Sequence, residues 1–172
     1  EFPDADLNLS ESSMVEPFFG RQFLTNGIKA IALGAVAILV YVWFRFRKIG
    51  GLSAGFMALA AIGIDLFVVY TTYILLELPI GDSFVAVFLT IMGYSINDTI
   101  VIYDRIRENV KLHRKESIET ITNLSITQTL GRTINTSAAV FLSIVLVFVT
   151  AAFNGIESVQ EFALPMAIGV LS

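Results

Sequence analysis

Between Phe84 and Arg107 the chain reads FVAVFLTIMGYSINDTIVIYDRIR, an apolar run that nonetheless contains Asn97 and Asp98. A bilayer core of about 30 Å takes roughly 20 helical residues, so the segment is long enough to span. A carboxylate near the middle of such a helix costs on the order of 3 kcal/mol on insertion scales. An acid retained at that cost is a functional candidate when a partner can be named. Arg132, at the start of the next long apolar run, is the partner the sequence offers.

The surrounding composition agrees with a membrane setting. Of 172 residues, 55% are hydrophobic, and mean hydropathy is +0.76. Soluble domains run nearer about 45–50% apolar. A net charge of −4 argues against a nucleic-acid partner, which needs a basic face. The absence of cysteine removes thiolate metal sites, cysteine catalysis and disulfides. His113 is the single histidine and lies among basic residues, so no metal centre and no cofactor is expected. A start at Glu1 and a stop at Ser172 inside an apolar run read as an internal fragment of a longer protein.

Taken in order, residues 1–26 are acidic and turn-like, with Pro3, Pro17 and Gly20, and read as the end of an aqueous segment. Phe18, Phe19 and Phe23 are candidates for its membrane interface. Apolar spans are expected at about 27–44, 52–76, 84–104 and 132–153, with a truncated one at 162–172. The first carries Lys29, whose long stem can snorkel outward, and ends in an aromatic belt of Tyr41 and Trp43. Gly51 and Gly55 form a GxxxG pair that permits close helix approach. The polar stretch 105–131 reads as an amphipathic helix lying on the membrane or against the bundle. Ser117 is its expected N-cap, with Glu119 in the first turn. The fold class is therefore an all-α polytopic membrane protein, a bundle of transmembrane helices.

Charge sets the orientation. Eight of the eleven lysines and arginines fall in two alternate loops, around Arg45 to Lys48 and Arg105 to Lys115, while the other loops are acidic. Positive-inside bias puts the basic loops in the cytoplasm and residues 1–26 outside.

Each candidate has a plainer reading beside it. Asp98 and Asn97 would serve equally as polar contacts between helices, with Gly93 one turn back as a packing notch. Arg132 alone would snorkel to lipid phosphates. Its depth matches that of Asp98 if the two helices are antiparallel neighbours, and an arginine keeps its proton, so it holds a carboxylate ionised without carrying protons itself. Asp65, near the middle of the second span, has no cation at its level. A proton relay and a structural hydrogen bond both remain open for it. Tyr94 and Thr136 are supporting polar neighbours. Asp104 and Arg105 are expected at the interface, solvated. An intramembrane aspartyl protease would need two carboxylates sharing a proton. Its Tyr-Asp helix followed by a Gly-x-Gly-Asp helix is not reproduced: Tyr103-Asp104 lies at the membrane edge and no Gly-x-Gly-Asp occurs.

The motif GYSINDTIVIYDRIRENV at 93–110 resembles the SecF family, the smaller half of the bacterial SecD–SecF protein-export complexes. The likeness continues at SITQTLGRTINTS (125–137) and ILVYVWFRFR (38–47), and more loosely around Asp65. The resemblance implies a six-helix fold of the resistance–nodulation–division type, of which this chain would hold helices two to five and part of six. It further implies a non-enzymatic subunit in the bacterial plasma membrane that uses the proton-motive force to assist translocation. Its partners would be SecD, the SecYEG channel and the exported polypeptide. The family's in-membrane acid and arginine fall on Asp98 and Arg132. A further essential acid belongs to the SecD half. Two other readings stand: a structural partner without a relay, or a related proton-driven exporter of lipids or small molecules.

Overall fold

The structure, a computed structural model, describes residues 17–47 and 50–172. The expectations for residues 1–16, for Lys48 and for the Phe18, Phe19 and Phe23 side chains lie outside the described residues. Five helices follow in order: α1 (Pro17–Arg45), α2 (Gly51–Leu75), α3 (Asp82–Leu112), α4 (Ile118–Phe153) and α5 (Glu157–Val170). Among the described residues there is no strand. The first four are long and apolar enough to cross a membrane. Their outer faces expose Leu33, Phe44, Phe67, Leu142 and Phe153, side chains suited to lipid rather than water.

Helix α3 is the axle of the bundle, packing on α1, α2, α4 and α5. Close approach is set by small residues. A Cβ on Gly51 would stand 2.9 Å from the Trp43 carbonyl, and one on Gly55 would stand 3.5 Å from that of Leu39, so the glycine pair seats α2 directly on the backbone of α1.

Several boundaries differ from the sequence expectation. Helix α1 begins at Pro17, within the segment read as aqueous, because proline at the first helical position sacrifices only an N–H that has no intrahelical acceptor. Helix α5 begins at Glu157, ahead of its apolar run. The stretch 105–131 lies against the bundle, divided between two helices. It is not a helix of its own: α3 runs on through Leu112, a short turn follows, and α4 runs unbroken from Ile118. At about 1.5 Å per residue these helices are roughly 46 and 54 Å long, so both project well beyond a 30 Å core.

The projecting turns form a hairpin whose inner face is polar. Asn109 and Ser125 are buried and bonded, Nδ2 donating to Oγ at 2.9 Å. Asn109 also donates to Gln128 Oε1 at 2.9 Å, and Arg105 Nε donates to the same oxygen at 2.6 Å. The buried stripe is Ile121, Ser125 and Thr129, whereas Ile118, Ile126 and Leu130 are exposed. Ser117 caps α4 as expected, its Oγ accepting from the Thr120 N–H at 3.2 Å.

The turn after α2 carries a strain that glycine would relieve. Glu77 sits at φ 52°, while the equivalent turn after α4 has Gly155 at φ 68°. A Cβ in the left-handed region costs about 1–2 kcal/mol, part of which glycine returns through its looser unfolded chain. Glu77→Gly is expected to stabilise the full-length protein by about 0.5–1 kcal/mol, read as a later unfolding midpoint in a denaturing-detergent titration.

Candidate functional site

Three hydrogen bonds give the register of α3 against α4: Asn109 to Ser125, Arg105 to Gln128, and Tyr94 Oη donating to Ser137 Oγ at 2.8 Å. Two contacts do the same for α2 and α3. Tyr103 Oη donates to the Ala54 carbonyl at 3.0 Å, and the Tyr73 and Phe84 rings meet edge-on at 5.0 Å. These registers put Arg132 level with Ile100 and Val101, about 3–4 Å along the axis from Asp98. They put Asp65 level with Met92, about six residues or 9 Å from Asp98.

Asp98 and Asp65 face the same cavity, about 560 Å³ in volume, enclosed by α2, α3, α4 and the end of α5. Its polar wall is made of hydroxyls: Tyr94, Ser95, Thr99, Thr133 and Ser137. Along α3 the polar members are Tyr94, Ser95, Asp98 and Thr99, which is one helix face at i, i+1, i+4 and i+5. Thr133 and Ser137 repeat the four-residue step on α4. Of this wall the sequence singles out Tyr94 alone; Ser95, Thr99, Thr133 and Ser137 join it here, and their i, i+4 spacing is the signal that marks them. The two aspartates are too far apart to share a proton directly, so the dyad of an aspartyl protease is not formed between them. The hydroxyls of Tyr94 and Ser137 lie between them in level.

Toward the acidic end the cavity is closed by a dry layer. Val69, Tyr73, Val87, Ile91, Ile144, Ala163 and Val170 pack into one apolar cluster. The polar atom within it is the Tyr73 hydroxyl, buried with no hydrogen-bond partner among the described residues. Gly169 lets α5 into this layer, since a Cβ there would stand 2.6 Å from Val69 Cγ2 and 2.9 Å from Ile91 Cδ1.

Arg132 is placed differently. Its side chain lines a second groove, of about 510 Å³, between α3 and α4 at the basic end. Among the described residues Asp98 and Arg132 make no ion pair, although the guanidinium is near enough for its charge to act on the carboxylate. Thr136 donates to the Arg132 carbonyl at 2.9 Å and reaches neither cavity. Asn97 is exposed, turned away from the acids. Gly93 is no notch within this chain, because a Cβ added there meets nothing within 4 Å.

Asp104 also departs from expectation. Rather than being simply solvated, its Oδ1 lies 3.0 Å from both Arg45 and Arg107, tying α1 to α3. Both guanidiniums lie near the face of Phe46, at 5.4 and 5.9 Å from its centroid. Arginine spreads its charge over a plane that suits an aromatic face, which explains two cations beside one buried ring.

Residues 2–172 match the family model described as protein export membrane protein SecD/SecF, C-terminal. The protein translocase subunit SecF of Koribacter versatilis is 42% identical over 158 residues, covering 92% of this chain and 37% of that protein. SecF of Petrotoga mobilis is 34% identical, covering 99% of this chain and 54% of that one. The SecDF protein of Bacillus subtilis is 35% identical over 93% of this chain and 21% of its own length. Among solved structures, SecDF in its super-membrane-facing form superposes with a TM-score of 0.74 at 37% identity, covering 91% of this chain and 20% of that chain. The chain thus spans about half of the length of these relatives or less. Four apolar helices long enough to span, a bundle shared with SecDF and a family match over nearly every residue converge: this chain is a multi-pass membrane protein belonging to the SecD/SecF family of protein-export membrane proteins.

Proposed function

We propose that the chain is the proton-handling membrane part of a subunit that assists protein export across the bacterial plasma membrane. The observation that carries this reading is the cavity in which Asp98 and Asp65 face a hydroxyl wall beneath an apolar layer. In this reading the basic loops are cytoplasmic and residues 1–26 extracytoplasmic. A proton moving inward gains about 2.3 kcal/mol per 100 mV of membrane potential. Asp98 takes it up and releases it as Arg132 turns away from and toward the carboxylate. A guanidinium nearby favours the ionised acid, and desolvation without one favours the neutral acid.

The small axial offset between the two residues makes this a side-chain movement, with little sliding of α3 on α4. Asp65 and the hydroxyls of Tyr94 and Ser137 extend the path toward the dry layer, which in this conformation stands between the acids and the acidic end. Opening of that layer couples proton entry to helix packing, and so to the extracytoplasmic part that handles the exported chain. Relatives named SecDF carry both halves in one name, which supports SecD as the partner; the SecYEG channel and the exported polypeptide complete the assembly.

The competing reading, a structural subunit without a relay, is favoured by one observation: Arg132 faces the basic groove instead of pairing with Asp98. Vesicles separate the two. Full-length protein reconstituted with its SecD half is expected to pass protons inward faster than protein-free vesicles, in proportion to the imposed potential, as read by a lumenal pH dye. Flux no greater than that of empty vesicles at every potential ends the proton reading.

A further inference from the structure

The groove that holds Arg132 is a second site, with chemistry unlike that of the aspartate cavity. It is lined by Arg105, Arg107, Lys111 and Arg132 against two carboxylates, Asp104 and Glu108. The acids are committed: Asp104 to Arg107 at 3.0 Å and Glu108 to Arg105 at 2.6 Å. Lys111 and Arg132 make no ion pair among the described residues, so neither is neutralised by the acids of the groove. It lies where the apolar run of α3 gives way to Asp104 and Arg105, with Val101 in its wall. A core of about 30 Å centred on the apolar run would put this level at the headgroups on the basic side.

We infer that this groove binds the phosphate group of an anionic phospholipid. Arg132 supplies a planar fork that matches phosphate oxygens in pairs, and Lys111 a mobile point charge. Basic pockets between membrane helices on the cytoplasmic side suit anionic headgroups, which are concentrated at that surface. The phosphate chemistry alone would also admit a soluble anion. The position at the membrane boundary, with an apolar wall on one side, favours the lipid. The inference shares Arg132 with the proposed relay but does not involve Asp98, and Lys111, which has no part in the relay, is the cation that tells the two apart.

The test is a titration of the full-length protein in detergent with short-chain phosphatidylglycerol, with phosphatidylcholine, and with inorganic phosphate, counting bound molecules by native mass spectrometry. A single phosphatidylglycerol is expected to bind in preference to phosphatidylcholine. Lys111→Gln should weaken it about fivefold, the weight of one cation at an anionic surface, and Lys111→Arg should restore it. Lys115, of the same charge in the adjoining turn but outside the groove, is the control; Lys115→Gln should change binding less than about twofold if the site is local. Equal binding of the two lipids, or equal losses at Lys111 and Lys115, would overturn the site. Saturation by inorganic phosphate with no preference for phosphatidylglycerol would overturn the lipid assignment.

Discussion

Asp98→Asn is expected to abolish potential-driven proton flux through the reconstituted complex while leaving its assembly intact. The amide matches the carboxylate in shape and keeps a hydrogen-bonding oxygen, but it cannot take up and release a proton in the working pH range. Positioned proton-transfer groups contribute on the order of 10²–10⁴ in rate, so a loss of at least about a hundredfold is the expected reading. Asp98→Glu restores an ionisable group displaced by one methylene and should recover part of the flux. Asp65→Asn tests the length of the path. If protons pass along the cavity that both acids face, it lowers flux too; if Asp98 is reached from another side, flux stays near the unmutated level. Arg132→Lys keeps the charge but loses the fork, and should fall between the unmutated protein and Asp98→Asn. Undiminished flux in the Asp98→Asn complex, with normal assembly, would make the acid a packing residue.

The largest effect on stability is expected at Gly169. Val69 and Ile91, the side chains that a new Cβ would meet at 2.6 and 2.9 Å, are both fully buried. Both belong to the apolar cluster, and the β-branched Val69 has little rotamer freedom with which to move aside. Gly169→Leu should therefore cost about 2–3 kcal/mol, the upper range for overpacking, and wedge α5 away from α2 and α3. Gly93→Leu is the matched control. It lies on α3, adds the same side chain and meets open space, so its effect on the unfolding midpoint in denaturing detergent should stay within about 0.5 kcal/mol. Equal losses at the two glycines would mean that the cost comes from bilayer contact, since leucine is a better helix former than glycine, and the apolar layer would not be the rigid element described here.

The linear sequence determined what depends on local quantities. The length of each apolar run, the cost of a charge inside it and the alternation of basic and acidic loops are properties of a short window. They yielded the helical class, the in-membrane acids Asp98 and Asp65, the Gly51–Gly55 contact and the Ser117 cap. Tertiary structure alone decided how each helix is rotated about its axis and how its neighbours register. In water an apolar stripe at helical spacing would reveal rotation, but a membrane helix is apolar toward lipid and toward its neighbours alike. Nothing local therefore said that Asp65 and Asp98 share one cavity, that Arg132 looks into the next groove, that Asp104 is held between Arg45 and Arg107, or that Gly93 meets open space. The same ambiguity concealed the unbroken α4, whose first turns pack on α3 through a mixed stripe of Ile121, Ser125 and Thr129, with Asn109 bonded to Ser125. Rotation and register are set by side-chain volumes and a few hydrogen bonds between residues distant in the chain, and those become visible only once the helices are packed.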